Sequence, residues 1–159
     1  FNADWGVSEA DVKASAAGTF NLESSTPEGK LVLYDAIIAD CQAGMVYQFA
    51  DNKLSAVSIS FYVYMETAEG LKLIQTLTES LVAKLNFNAE PEHELTVFDE
   101  QSQITHMGQF FSNENTLAFI FAKIWPEEEG RQVVIMEFCD KHSVIANRMP
   151  AYFKDFVTR

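Results

Sequence analysis

Several signatures of catalysis are missing from this sequence. Its seven glycines, at positions 6, 18, 29, 44, 70, 108 and 130, are all isolated, so no glycine-rich loop can hold a phosphate. There is no Gly-x-Ser-x-Gly elbow, no Ser-x-x-Lys pair and no His-x-His or His-Glu-x-x-His metal motif. We therefore predict no catalytic, cofactor-binding or metal-binding residues, and we expect no cofactor. A hydrolase site assembled from distant positions stays open.

Positive charge and long hydrophobic runs are also scarce. Lysine and arginine number 11 against 23 aspartates and glutamates, which gives a formal net charge of −12 at pH 7. A field of that sign repels phosphate backbones, so we predict no nucleic-acid partner. The longest wholly apolar stretch, residues 117–122, is far shorter than the about 20 residues of a membrane-spanning helix. We therefore predict no transmembrane segment.

Cysteine occurs only twice, at Cys41 and Cys139, in no metal or redox spacing. The favoured interpretation is two small buried hydrophobic side chains. The alternative is a single disulfide that joins the two halves of the chain, which an oxidising compartment permits.

The three histidines, His93, His106 and His142, are dispersed along the chain. The segment Glu92-His93-Glu94 and the run Glu127-Glu128-Glu129 are interpreted as solvated acidic segments. Neither shows the alternating ligands and turn glycine of a calcium loop, and a loop does not fix ligand geometry. His106 is interpreted as a half-buried, hydrogen-bonded residue of a strand.

What is present in the sequence is clear hydrophobic periodicity. Ser8 can cap a helix over residues 8–17, and apolar residues at every third or fourth position predict a longer helix over 67–85. Residues 19–30 contain a loop or turn. Alternating or continuous apolar runs predict strands at 30–38, 45–50 and 54–64, and then at 104–112, 116–125 and 132–139, with 96–99 as a short edge strand.

This order of elements, αβββαβββ, predicts an α+β fold with a mostly antiparallel sheet and helices packed on one face. Residues 1–159 form a single domain in this interpretation, with two αβββ halves at about 1–65 and 66–140 and a C-terminal segment. The predicted core joins residues of the strand at 54–64 to residues of the long helix: Val57, Ile59 and Phe61 against Ile74, Leu77 and Leu81.

Two tyrosines are the weak candidates for a binding site. Tyr62 and Tyr64 alternate with the apolar residues of the strand at 54–64 and so are expected on its other face. They form either an exposed aromatic patch for a partner or, as we favour, cover beneath a loop or a terminal helix at 150–157.

The opening segment Trp5-Gly6-Val7-Ser8-Glu9-Ala10-Asp11-Val12 resembles a pattern of small exported bacterial proteins and lipoproteins. In that group Trp-Gly-x-Ser-x-x-x-Val begins the mature domain, and the strand-turn-strand segment at 46–54 is similar as well. The resemblance covers residues 5–64 and implies a periplasmic or extracellular α+β domain, but no catalytic residues. Because the sequence begins at Phe1, we expect an upstream signal peptide, lipoprotein leader or tag.

Three functions follow as expectations. The first is a non-catalytic domain that binds a protein partner in the cell envelope, where its acidic surface could attract a basic partner surface. The alternative is a carrier of a small apolar ligand between sheet and helices, which requires a cavity of about 300 Å³ or more. The second alternative is a hydrolase, which requires titratable groups that converge in a cleft. Oligomeric state is not predicted.

Overall fold

The described residues form one antiparallel sheet with two α-helices. The computed structural model describes residues 4–27, 29–38, 41–64, 67–85, 93–99, 104–124, 131–143 and 146. The strands lie in the order β1-β2-β3-β4-β8-β7-β6-β5. Along the chain the elements are α1 (Glu9–Ser15), β1 (Thr19–Thr26), β2 (Gly29–Ile38), β3 (Cys41–Ala50), β4 (Lys53–Tyr64), α2 (Thr67–Leu85), β5 (His93–Asp99), β6 (Ile104–Ser112), β7 (Thr116–Ile124) and β8 (Arg131–Asp140).

The predicted αβββαβββ order and the α+β class are both wrong. The described residues are mostly eight-stranded sheet, with two helices of 7 and 19 residues, in the order αββββαββββ. The sequence predicts a loop or turn where β1 lies, because this edge strand is exposed along almost its whole length and shows no apolar alternation. β5 begins at His93 rather than Thr96 and is a full member of the sheet.

Several local predictions are confirmed. The long helix spans Thr67–Leu85 as predicted, and the Ser8 side chain accepts a hydrogen bond from the amide of Asp11 at 3.2 Å, as an N-cap does. Asp51 and Asn52 have φ angles of 50° and 61°, which suit the tight turn between β3 and β4.

One face of the sheet, hereafter the helix face, carries the main core. Val57, Ile59 and Phe61 are buried there as predicted, and Leu77 of α2 packs into the same cluster, as does Val12 of α1. The side chains of Ile74 and Leu81 lie outside the described residues. Both helices therefore bury an apolar side chain on the helix face.

The opposite face carries a smaller apolar cluster, formed by Phe110, Leu117, Phe119 and Cys139 with Ala146 packed against it. Successive strand residues alternate between faces, so these side chains point away from Phe111 and Ala118, which belong to the main core. The alternation places Cys139, which is buried, on the face opposite the helices.

The two cysteines do not form a disulfide. Cys139 pairs with Ala56 of β4, which pairs with Gln48 of β3, seven residues from Cys41. At about 3.3 Å per residue this separates the cysteines by roughly 20 Å, whereas a disulfide needs Cα atoms within about 7 Å. Both thiols are free, and burial, with Glu137 and Asp140 nearby, raises the pKa of Cys139 to about 12. The interpretation of a disulfide between the halves is wrong.

Neither helix in the part of the chain that the structure describes is long and apolar enough to cross a membrane.

Candidate functional site

A cleft with a volume of about 640 Å³ lies on the helix face, between the two helices and the sheet. Its floor comes from β3, β4 and β8, with residues 36–38 of β2 at one side, and its walls come from α1 and α2. This volume is within the about 300–1,000 Å³ that small-molecule sites usually have.

The floor of the cleft is apolar and adaptable. Met45, Ile59 and Met136 are direct cross-strand partners on three adjacent strands, and they are 6%, 7% and 4% exposed. Methionine side chains are unbranched and polarisable, so two of them flanking Ile59 can adjust to different ligand shapes. Phe61 and Phe138 extend this apolar surface along the sheet.

The two walls differ from the floor because they combine apolar and polar side chains. Val12 and Ala16 of the α1 side and Leu77 of α2 are buried or half-buried. Each wall also carries exposed polar residues: Asp11 and Ser15 beside α1, and Ser80 and Lys84 on α2. The cleft is therefore apolar inside and polar at its rim.

The segment Asp4–Ser8 runs beside the cleft and is held to the sheet by backbone hydrogen bonds. The amide of Gly6 donates to the carbonyl of Leu54 at 3.0 Å, and the amide of Leu54 donates to the carbonyl of Val7 at 2.9 Å. Trp5 Nε1 donates to Thr116 Oγ1 on β7 at 2.8 Å. Gly6 has a φ of 84°, which favours glycine over other residues. The first part of the resembling segment thus has a structural role.

A network of four ions ties α1 to β1 and β2. Lys13 lies 2.7 Å from both Glu9 and Glu23, while Lys30 lies 2.7 Å from Glu9 and 3.2 Å from Glu23. Hydrogen bonds from Lys13 and then from Lys30 lower the pKa of Glu9 and of Glu23. The same contacts raise the pKa of both lysines. Ion pairs that water can reach contribute little to stability, so we interpret this network as contacts that orient α1 on β1 and β2.

Tyr47 is the buried side chain of the cleft that carries a hydroxyl group. It lies on β3 between Val32 and Val57 and is 6% exposed. Its ring meets that of Tyr34 edge-on, with centroids 5.8 Å apart. Burial, and secondarily Tyr34, raises the pKa of Tyr47, so the hydroxyl keeps its proton. No residue in the described ranges hydrogen-bonds to this hydroxyl.

Among the described residues that line this cleft there is none of the candidates from the sequence. Tyr62 and Tyr64 lie on β4, paired with Val133 and Arg131, and their side chains fall outside the described residues. His142 is exposed in the turn after β8. The side chains of His93 and His106, the runs at 92–94 and 127–129, and the helix predicted at 150–157 lie wholly or partly outside the described residues. Among the residues that are described, no group of three His, Cys, Asp or Glu side chains could hold a metal.

Sequence reasoning named a cavity between sheet and helices only as a requirement of the carrier alternative, and it did not identify the residues that line the cleft. Met45 and Tyr47 share the apolar side of a strand, which is a detectable signal for burial. Nothing in the alternation shows that the helix above leaves their side chains facing open space, since that depends on the placement of α1 and α2.

We find no match to the chain among protein-family models, curated proteins or solved structures.

Proposed function

We propose that this protein binds a small apolar ligand in the cleft between its helices and its sheet. The main support for this proposal is the cleft of about 640 Å³, whose floor includes Met45, Ile59 and Met136. A carrier needs about 300 Å³ or more, so the cleft is large enough for a drug-sized or lipid-sized molecule.

The side chains that line the cleft favour binding of a ligand over catalysis on it. The charged residues of the lining are Asp4 and Asp11 on one side and Lys84 on the other, all of them exposed. A hydrolytic site needs a nucleophile, a base and an oxyanion donor that converge on one point. The described lining offers apolar surface at its centre instead, so a hydrolase is the weaker proposal.

A neutral fluorescent probe tests the proposal. N-phenyl-1-naphthylamine brightens in apolar surroundings, and its titration into the protein should give saturable fluorescence. Ala16→Trp places a large ring in the cleft, because Ala16 lines it with an ordinary φ of −61°. We expect this variant to weaken probe binding at least tenfold, since the ring occupies the ligand's volume.

Ala14→Trp is the matched control, because Ala14 is an exposed residue of the same helix that does not line the cleft. It should bind the probe like the parent protein. Equal probe binding by both tryptophan variants, or no saturable binding by the folded parent protein, would contradict the proposal.

A protein partner in the cell envelope is the second candidate. Its support is exposed apolar side chains on β1 and β2: Phe20 is 50% exposed on the helix face, and Leu22 and Ile37 are 48% and 77% exposed on the opposite face. Single exposed hydrophobic residues are common, so this support is weaker than the cleft. Export itself rests on the resemblance at residues 5–12, and an upstream leader in the gene would support it.

Capture from an envelope fraction of the source organism tests the partner at low and high salt. We expect one saturable partner whose capture falls with Leu22→Ser, a residue that does not line the cleft, and falls with salt because acidic rim charges act on association. Capture that Leu22→Ser leaves unchanged would reject this part of the surface.

A further inference from the structure

We propose that the ligand of the cleft carries an uncharged carbonyl oxygen that accepts a hydrogen bond from the hydroxyl of Tyr47. This inference rests on the proposed function and names the chemical class of the ligand: an apolar chain or ring system with a ketone, ester or similar neutral carbonyl group.

The first step is the state of the Tyr47 hydroxyl. The side chain is 6% exposed and lines the cleft. Buried hydroxyl groups in proteins nearly always have a hydrogen-bond partner, because an unmade bond in an apolar environment is costly. Within the described part of the chain this hydroxyl has none, so a group inside the cleft is the partner that its position allows.

The second step is the direction of the hydrogen bond. The neutral phenol hydroxyl of Tyr47 can donate one hydrogen and can also accept, and burial disfavours its ionised form. Because the hydroxyl keeps its hydrogen and that hydrogen needs an acceptor, we infer that the ligand supplies the acceptor. Around Tyr47 the floor consists of apolar neighbours such as Ile59 and Phe138, which offer neither donors nor acceptors that could compete with the ligand.

The third step is the charge of the acceptor. A buried carboxylate or phosphate needs a cation or several donors to replace its hydration. Lys84 is the cation among the described lining residues, and it lies exposed on the α2 wall. Two carboxylates, Asp4 and Asp11, also line the cleft and repel an anion. These charges favour a neutral carbonyl oxygen at Tyr47.

Tyr34 supplies a matched control. It is 5% exposed, its ring contacts that of Tyr47, and it does not line the cleft. Tyr→Phe at either position removes one buried hydroxyl and keeps the ring. A purely structural role of buried tyrosine hydroxyls would make the two variants behave alike, whereas a ligand contact is specific to Tyr47.

The test uses a pair of probes that differ in one atom group: 2-octanone, and 2-methyl-1-octene, whose methylene replaces the carbonyl oxygen. Each probe displaces N-phenyl-1-naphthylamine from the parent protein, from Tyr47→Phe and from Tyr34→Phe. We expect Tyr47→Phe to weaken 2-octanone binding about tenfold and to leave 2-methyl-1-octene unchanged. Tyr34→Phe should change neither affinity.

The infrared carbonyl stretch of bound 2-octanone provides a readout that structural damage would not mimic. It should lie at lower frequency in the parent protein and in Tyr34→Phe than in Tyr47→Phe, because a hydrogen bond weakens the carbonyl bond. Equal affinity for both probes in the parent protein, unaffected by Tyr47→Phe, would overturn this inference while leaving the binding function intact. Failure of both probes and the dye to bind would remove the proposed function itself.

Discussion

The orientation of Leu54 depends on one extra residue in β4. Phe49 pairs with Leu54 and Gln48 pairs with Ala56, so Ser55 is a bulge without a partner on β3. The bulge reverses the alternation once, which puts Leu54 on the same face as Val57 although the two are three residues apart. Leu54 then lines the cleft with its side chain while its backbone holds Gly6 and Val7.

Leu77 is the residue of α2 whose packing can be tested most simply. It is 8% exposed and contacts the main core. Leu77→Ala should lower the free energy of unfolding by about 2–5 kcal/mol, since it removes buried methyl groups and leaves a larger cavity. Urea denaturation followed by circular dichroism measures this change.

Thr76→Ala, one position away on the exposed side of α2, is the control and should change stability by less than about 0.5 kcal/mol. A loss at Leu77→Ala as small as that of the control would show that α2 does not pack on the sheet through this side chain.

At the scale of elements, the length of α1 explains why a cleft exists. With 7 residues α1 is about 10 Å long, whereas the 19 residues of α2 make it about 28 Å long. α1 contacts β4, and α2 contacts β7 and β8. The short helix covers less of the sheet than the long one does, so the floor between them stays open.

Helices and strands could be predicted from the sequence where only one of their faces is buried. The helix at 67–85 and the strand at 54–64 each present one apolar face, and both were located to within a residue. Residues 42–44 fall outside the strand predicted at 45–50, but they lie in β3, where Gly44 is buried between its partners on β2 and β4. β1 was missed because its exposed edge carries no apolar signal.

The cleft was beyond sequence prediction for a different reason. Hydrophobic periodicity in the sequence predicts which side chains are buried. It does not predict whether another side chain fills the space above them. Met45 and Tyr47 of β3 lie far in the sequence from Phe138 of β8, and they share one floor with it only through the β3-β4-β8 pairing. The volume they enclose depends on helix placement, which no local pattern records.

At the scale of the whole molecule, two αββββ segments meet at the pairing of β4 with β8, from Ala56–Cys139 to Tyr64–Arg131. The cleft lies across this junction, because its floor takes Met45 and Ile59 from the first segment and Met136 from the second. A bound ligand therefore contacts both segments. The net charge of −12 disfavours an anionic ligand, in agreement with a neutral carbonyl compound.

The most direct test of ligand binding in the cleft is a methyl NMR titration. Protein labelled with ¹³C at methionine and leucine methyl groups is titrated with 2-octanone, and the shifts of Met45, Met136 and Leu117 are followed. Met45 and Met136 line the cleft, whereas Leu117 is buried on the opposite face. The account predicts saturable shifts of both methionine methyls with one dissociation constant, and no shift of Leu117. Binding that moves Leu117 and leaves Met45 and Met136 unchanged would contradict it.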